Sequence, residues 1–332
     1  MYRQTTLLIA GAGLAISTMS ASAETMRLEW FVQGQFAGPI VALEKGYYKE
    51  AGVDMDLLPA GPDIKPSVTV ATGADTFGLG HPNQIISARA NSAPLVMVAQ
   101  FGQKSSSTYI ARKDSGIKSI EDMRGHSVGL WFGGDEQEFL AMLDRAGIPQ
   151  SDVNIISQGY DIVSWLNKDY DVMQVARYNE LLQVYRHGYK KEDLVFLEPP
   201  ADSMMVSGGL FTTEKEIKEH PEVVQAVVDA TLRGWQDAIA DPKAAAEIVV
   251  KHNSELKVDE QVEQIKAMGD LFCAGPTLDG EFGKSELKNY EVAQKILIGA
   301  KLIDQTIDLP QAFTNEFWEK APAEYKTIKC EN

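Results

Sequence analysis

Between residues 24 and 101, short apolar runs alternate with stretches whose apolar residues recur at helical spacing. MRLEWFVQ (26–33) reads as a strand. GPIVALEKGYYKEAG (38–52) follows as a helix with Ile40, Val41, Ala42 and Leu43 turned inward. VDMDLLPA (53–60) alternates Val53, Met55 and Leu57 as a second strand, and IKPSVTVATG (64–73) suggests a short helix. ADTFGLG (74–80) is a third strand, NQIISARAN (83–91) a helix and LVMVAQF (95–101) a fourth strand. Strands separated by helices predict a mostly parallel α/β sheet with right-handed crossovers.

A second unit repeats the alternation. SVGLWF (127–132), VNIISQ (153–158) and DVMQV (171–175) read as strands, and 135–146 as a helix. NELLQVYRHG (179–188) is a helix closed by Gly188, and DLVFLEPP (193–200) and GGLFTT (208–213) look extended. From Pro221 the pattern turns helical: 221–239, 242–252, 258–269, 286–301 and 310–319, several opening on Pro or an acid. No repeat or low-complexity linker divides the chain. The pattern predicts two α/β lobes joined by two chain crossings, near 104–112 and 199–210. One lobe then takes 24–106 and 207–332 with the helical tail, and the other takes 107–206.

The first residues stand apart from this pattern. Arg3, an apolar run from Leu7 to Ile16, and Ala21-Ser22-Ala23 together read as a secretory signal peptide (1–23), with the mature chain starting near Glu24. No Cys follows the cleavage signal, so no lipid anchor is expected. No later run approaches the roughly 20 apolar residues that a membrane span needs. The formal net charge of −16, with no basic cluster, argues against nucleic acid and anionic membrane surfaces as partners. Cys273 and Cys330 can pair in an oxidising compartment or remain two thiols. Two cysteines and five scattered histidines give no metal-ligand spacing, and no metal or cofactor is expected.

The segment QFAGPIVALEKGYYKEAGVDMDLLPAG (35–61) narrows the reading. With ADTFGLG (74–80), ISARANSAPLVMVAQ (86–100), SGIKSIEDMRGHSVG (115–129) and FTTEKEIKEHPEVVQAVVDA (211–230), it resembles the NMT1/THI5-like periplasmic substrate-binding proteins of ABC importers. The resemblance implies a two-lobed periplasmic-binding-protein fold of type II, a monomer that closes by a hinge on a ligand in the interlobe cleft. It implies delivery to a membrane permease powered by a separate ATPase. Family members carry thiamine pyrimidine precursors, riboflavin, sulfonates or nitrate. One member of another kind, a yeast pyrimidine synthase, uses a lysine and a histidine after the third strand and a cysteine-rich iron motif. Those two positions fall here on Gly80 and Gln84, and there is no cysteine cluster, so the resemblance implies binding rather than catalysis.

A two-lobed α/β design places a ligand beyond the carboxyl ends of the strands. The candidates are Gln33, Gln35 and Phe36; His81, Asn83 and Gln84; and Gln100 with Gln103. In the second unit they are Trp131, Phe132, Asp135 and Glu136; Gln158, Tyr160 and Asp161; and Arg177, Tyr178, Asn179 and Glu180. Asp135 and Glu138 also fit a capping box, and Glu180 can be a plain helix-start acid. Trp131 and Phe132 alternate on a strand, so one is expected in the core and the other at the ligand. His81, before Pro82, suits a neutral hydrogen-bonding role, and Tyr47 and Tyr48 suit packing.

GHSVG (125–129) matches the G-x-S-x-G elbow of serine hydrolases, but here the strand follows the serine instead of preceding it. GAGLAI (11–16) lies inside the signal peptide and is no nucleotide fingerprint. What remains is a glycine turn, Gly133–Gly134, followed by carboxylates. An anion would want bare N–H groups and a cation there. Asp135, Glu136 and Glu180 instead suit a planar nitrogen heterocycle with N–H donors, a thiamine-precursor pyrimidine first and a flavin second. Trp131, Phe36 and Tyr178 can stack on such a ring, and Gln33, Asn83 and Gln100 can read its edges. Arg177 can pair with a ligand carboxylate or offset these acids.

Overall fold

A computed structural model describes residues 23–200 and 204–330, so the signal-peptide reading of 1–22 lies outside the described residues. The first lobe opens with β1 (Glu24–Arg27), α1 (Ala37–Glu44), α2 (Tyr47–Glu50) and β2 (Met55–Leu58). It continues through α3 (Pro66–Ala71), β3 (Phe77–Gly80), α4 (Pro82–Ala90) and β4 (Leu95–Gln100). The expected helix 38–52 is broken where Gly46 takes a left-handed φ of 76°. The expected strand 26–33 runs from 24 to 27, pairing in parallel with β2 from Glu24↔Met55 to Arg27↔Leu58. Beyond it the chain bends away from the sheet, and Glu29 and Trp30 fall at its carboxyl edge.

The second lobe contains β5 (Ser107–Arg112), β6 (Ser127–Leu130), α5 (Gln137–Arg145) and β7 (Asn154–Ser157). It goes on to α6 (Val163–Leu166), β8 (Val172–Ala176), α7 (Glu180–Arg186) and β9 (Leu194–Leu197). The chain returns through Met204–Gly208 to β10 (Gly209–Thr213) in the first sheet. The two sheets share one topology, β2-β1-β3-β10-β4 and β7-β6-β8-β5-β9. Both are mixed. β10 runs antiparallel to β3 and β4, and β5 antiparallel to β8 and β9. The sheets are mostly parallel as expected, and these two strands are the exceptions because each enters directly from a crossing, without the helix that would restore the parallel direction. The segment 104–112, expected as a crossing, is therefore mostly β5.

The two crossings run side by side. Phe101 and Gly102 both donate their N–H to Gly208 O at 3.0 Å, and Ser207 N–H reaches Lys104 O at 3.2 Å. A Cβ on Gly102 would lie 1.8 Å from Ser207 O, so only glycine allows this approach.

The tail comprises α8 (Glu214–Glu219), α9 (Pro221–Ala240), α10 (Pro242–His252), α11 (Val258–Phe272), α12 (Leu287–Gly299) and α13 (Glu316–Lys320). The expected helix 310–319 is reduced to a 3-10 turn at Leu309–Gln311 and α13. Helix α9 seats Trp235 against Gly38 of α1, where a Cβ would come within 2.3 Å of the indole. Cys273 and Cys330 form a disulfide with a Cα–Cα distance of 5.6 Å, which settles the alternative left open by the sequence. Apolar side chains cover both faces of each sheet, and Met26, Leu28, Phe77, Tyr109 and Leu130 are fully buried. Ser127 of the G-x-S-x-G match begins β6, with no helix after it, and donates its hydroxyl to Asp171 at 2.9 Å.

Candidate functional site

The carboxyl ends of the two sheets face each other across a cleft enclosing about 130 Å³. The turn from β6 to α5 forms much of one wall. Gly133 (φ 118°) and Gly134 (φ 130°) turn their N–H groups to one point, a nest of the kind that holds anions. Glu136 fills it: its Oε2 accepts from Gly133 N–H at 3.0 Å and from Gly134 N–H at 2.9 Å. Glu136 is thus buried in its own turn and does not line the cleft, contrary to the sequence expectation. The expected capping box is not formed either. Glu138 Oε1 accepts from Met205 N–H at 2.9 Å and Oε2 from Ser105 Oγ at 2.9 Å, so this buried acid ties together both crossings. Asp135 alone of the three is free to face the cleft.

The turn from β8 to α7 repeats the device. Glu180 Oε2 accepts from Ala176 N–H at 3.1 Å, and its Oε1 accepts from Asn179 Nδ2 at 2.6 Å. Its carboxylate still lines the cleft, with Tyr178 and Asn179 beside it. Burial pushes Glu180 up to about 7 and Asp135 up to about 6, the latter opposed by His81. A ligand that brings N–H donors would favour the ionised form of both acids, because a carboxylate accepts those hydrogen bonds.

The opposite wall contains an acid that sequence reasoning missed. Glu29 Oε1 meets His81 Nε2 at 3.0 Å and accepts from Gln84 Nε2 at 3.3 Å. Gln84 Oε1 in turn accepts the His81 N–H at 3.1 Å. Burial would depress the His81 imidazole, but Glu29, with Asp135 and Glu138, pushes it up to about 9. Gly208 N–H opposes that second proton, because it donates to Nδ1 at 3.0 Å and needs its lone pair. The contacts are those of the Nε2–H form. Glu29 escaped notice because it reads as the polar position of a longer strand. An earlier end to β1 would have placed it with the other strand-end residues.

Aromatic rings close the mouth. Trp30 and Tyr160, one from each lobe, have ring centroids 5.0 Å apart. Neither Trp131 nor Phe132 is in the core, because β6 ends at Leu130. Trp131 Nε1 donates to Gly159 O at 3.0 Å, and Phe132 is 56% exposed at the cleft edge. Gln33 and Gln35, joined at 2.8 Å, also line the cleft. So does Lys65, another residue the sequence reading passed over.

Seven expected contacts lie elsewhere. Asn83 spans the lobes, donating to Gly134 O at 3.2 Å and Gln137 Oε1 at 2.8 Å. Gln100 donates to Gly102 O at 2.8 Å and to Ser207 O and Gly208 O at 3.0 Å, tying the crossings together. Arg177 pairs with Glu198 in a separate groove on the crossing side. Phe36 lies in a recess behind the cleft. Gln103 donates to Gln100 O at 3.2 Å, and Gln158 to Gln174 O at 2.7 Å. Asp161 accepts from Val163 N–H at 2.8 Å. All three are spent on the fold. Among the described residues no group of three or more His, Cys, Asp or Glu is placed to hold a metal ion.

A two-lobed cleft of this topology, with strand-end acids and aromatics, matches the family expected from residues 35–61. The model of the family described as NMT1/THI5 like matches residues 33–245. The chain belongs to this family. The riboflavin-binding protein RibY of Chloroflexus aurantiacus is 24% identical over 88% of this chain and 85% of its own. The formylaminopyrimidine-binding protein of Halalkalibacterium halodurans is 23% identical over 87% of this chain and 88% of its own. The periplasmic aliphatic sulphonate binding protein SsuA from Escherichia coli has the same fold, with a TM-score of 0.66 at 16% identity over 88% of this chain and 92% of its own. A 4-amino-5-hydroxymethyl-2-methylpyrimidine phosphate synthase of Legionella pneumophila is 23% identical over 96% of this chain and 99% of its own.

Proposed function

We propose that the protein is the solute-binding component of an ABC importer, exported with its mature start near Glu24, and that it captures a planar nitrogen heterocycle of the thiamine-precursor pyrimidine class. Residues 24–106 and 207–332 move as one lobe against 107–206, and the ligand favours closure by touching both. The closed monomer then delivers its cargo to a permease served by its own ATPase.

One observation carries the choice of ligand class. The glycine-turn amides that an anion would need are already held by Glu136. Around them the cleft sets Glu29, Asp135 and Glu180 against Lys65 and His81 alone. Nitrate or a sulfonate would meet repulsion without free backbone donors. Amino and ring N–H groups would meet acceptors, and Trp30, Trp131, Tyr160 and Tyr178 offer faces to the ring plane. The relatives named for riboflavin and formylaminopyrimidine support a heterocycle.

The synthase relative is the counter-case, and residues after β3 argue against it. The position that would carry the lysine is Gly80, where a Cβ would lie 2.6 Å from Gln84 Oε1 and 3.1 Å from the Phe211 ring. Gln84, at the histidine position, is engaged with Glu29.

The test is calorimetry with 4-amino-5-hydroxymethyl-2-methylpyrimidine on Glu180→Gln and Asp135→Asn. Each loses a charge-assisted bond, which weakens binding by about 1.5–3 kcal/mol, roughly 10–150-fold. Bound pyrimidine must be recovered unchanged. Equal affinity in both variants, or tight nitrate or sulfonate binding by the wild type, would overturn the reading.

A further inference from the structure

Behind the cleft floor opens a recess of about 30 Å³, lined among the expected contacts by Gln35, Phe36, His81 and Tyr178. Glu29, Gln35, His81, Ser106 and Tyr178 line both spaces, so the recess and the cleft meet at these side chains, the doorway of the proposal below. Past this boundary the side chains are mostly apolar, Phe36, Leu79, Phe101, Trp235, Met268 and Phe272, with Ser207, Gly208 and Gly209 of the returning crossing beside them. Ser207 Oγ is engaged with Lys104 O at 3.1 Å, but one polar atom of the lining residues has no partner. Trp235 is 2% exposed, and its Nε1–H finds no acceptor among the described residues.

Three facts give this atom meaning. A buried N–H without a partner is rare in folded proteins, because desolvating it gives nothing back. The indole cannot swing away to find one, since it is wedged against Gly38 and stands edge-on to Phe272 at 4.8 Å and 85°. The recess lies directly beside the cleft, with only shared side chains between them, within reach of a substituent on a cleft ligand.

We infer that the recess is a specificity subsite for a short neutral arm of the heterocycle, two or three non-hydrogen atoms long and ending in a hydrogen-bond acceptor for Trp235. Length follows from volume: one water-sized group needs about 10–15 Å³, so the recess takes two or three such atoms. Neutrality follows from charge. The recess holds no Lys or Arg, His81 with Gly208 N–H on its Nδ1 has the contacts of the neutral ring, and Glu29 stands at the doorway, so a carboxylate or phosphate arm is excluded. A hydroxymethyl or a formyl-bearing arm satisfies both demands. The inference rests on the proposed heterocycle reading and extends it from the ring to its substituent.

The experiment compares three probes by calorimetry: 4-amino-2-methylpyrimidine, its 5-hydroxymethyl derivative and its 5-carboxylate. In the wild type the hydroxymethyl compound binds about tenfold tighter than the bare ring, and the carboxylate binds more weakly than the bare ring. Trp235→Phe, which keeps a ring but removes the N–H, brings the hydroxymethyl-to-bare ratio close to one. Leu79→Phe, which fills the recess from the opposite wall, does the same without touching the indole, so a folding defect in either variant leaves the other decisive. If the ratio is already near one in the wild type, or stays at tenfold in both variants, the recess is not a subsite and the Trp235 N–H is served by the Phe272 ring or by water. If no probe binds, the heterocycle reading itself fails and the subsite falls with it.

Discussion

Replacing Glu136 by alanine separates a structural acid from a ligand contact. The carboxylate holds two backbone N–H groups, at 3.0 Å from Gly133 and 2.9 Å from Gly134. Gly133 is exposed, so water takes over its N–H at little cost. Gly134 is buried, and its N–H is left unpaired, which costs about 1–3 kcal/mol. With the exposed bond nearly neutral, Glu136→Ala loses roughly 1–3 kcal/mol. Glu136→Gln keeps an acceptor oxygen and loses about 1 kcal/mol or less. Urea unfolding followed by fluorescence reads both. The freed amides give the alanine variant a second signature. At matched ionic strength, nitrate in place of chloride raises its melting temperature but not that of the wild type, by mass action on the native state. An alanine variant within about 0.5 kcal/mol of the wild type refutes the structural role. So does an unchanged stability accompanied by a large loss of pyrimidine affinity, which would make Glu136 a ligand contact.

Other outcomes follow from the same structure. Burial raises Asp135 to about 6 and Glu138 and Glu180 to about 7, above their unfolded values near 4, so the folded state binds more protons than the unfolded one between about pH 4.5 and 7. Stability from these groups is complete below that window and is lost as pH rises through it. The melting temperature of the ligand-free protein is therefore higher at pH 5 than at pH 8, and equal values would refute the buried placement of these acids. Reducing the Cys273–Cys330 disulfide, which spans a sequence separation of 57, costs up to about 4 kcal/mol of unfolding free energy on loop entropy, and Cys330→Ser gives the same loss without reductant. An unchanged urea midpoint in both would contradict it. Gly102→Ala drives a Cβ to within 1.8 Å of Ser207 O, so it forces the crossings apart. Loss of soluble protein, or a radius of gyration in X-ray scattering that no longer responds to ligand, is the expected result, and wild-type closure would refute it.

The sequence by itself determined the α/β units, their order, the helical tail and the strand-end zone that lines the cleft. Those features follow from apolar periodicity and turn chemistry, which act within a few residues of each other. Most of the cleft wall was legible for that reason: Gln33, Gln35, His81, Gln84, Trp131, Asp135, Tyr178 and Glu180 all stand where strands end. The tertiary structure decided the rest. Strand direction at β5 and β10 depended on which sheet the chain entered from a crossing, and periodicity is the same either way. The end of β1 depended on how far β2 continued beside it, and that brought Glu29 into the cleft. Above all, three acids within four residues took three unrelated tasks. Asp135 lines the cleft, Glu136 fills its own turn, and Glu138 reaches Met205, 67 residues away. Carboxylates look alike along a chain, and each is assigned by the donors that folding brings to it, often from far along the sequence.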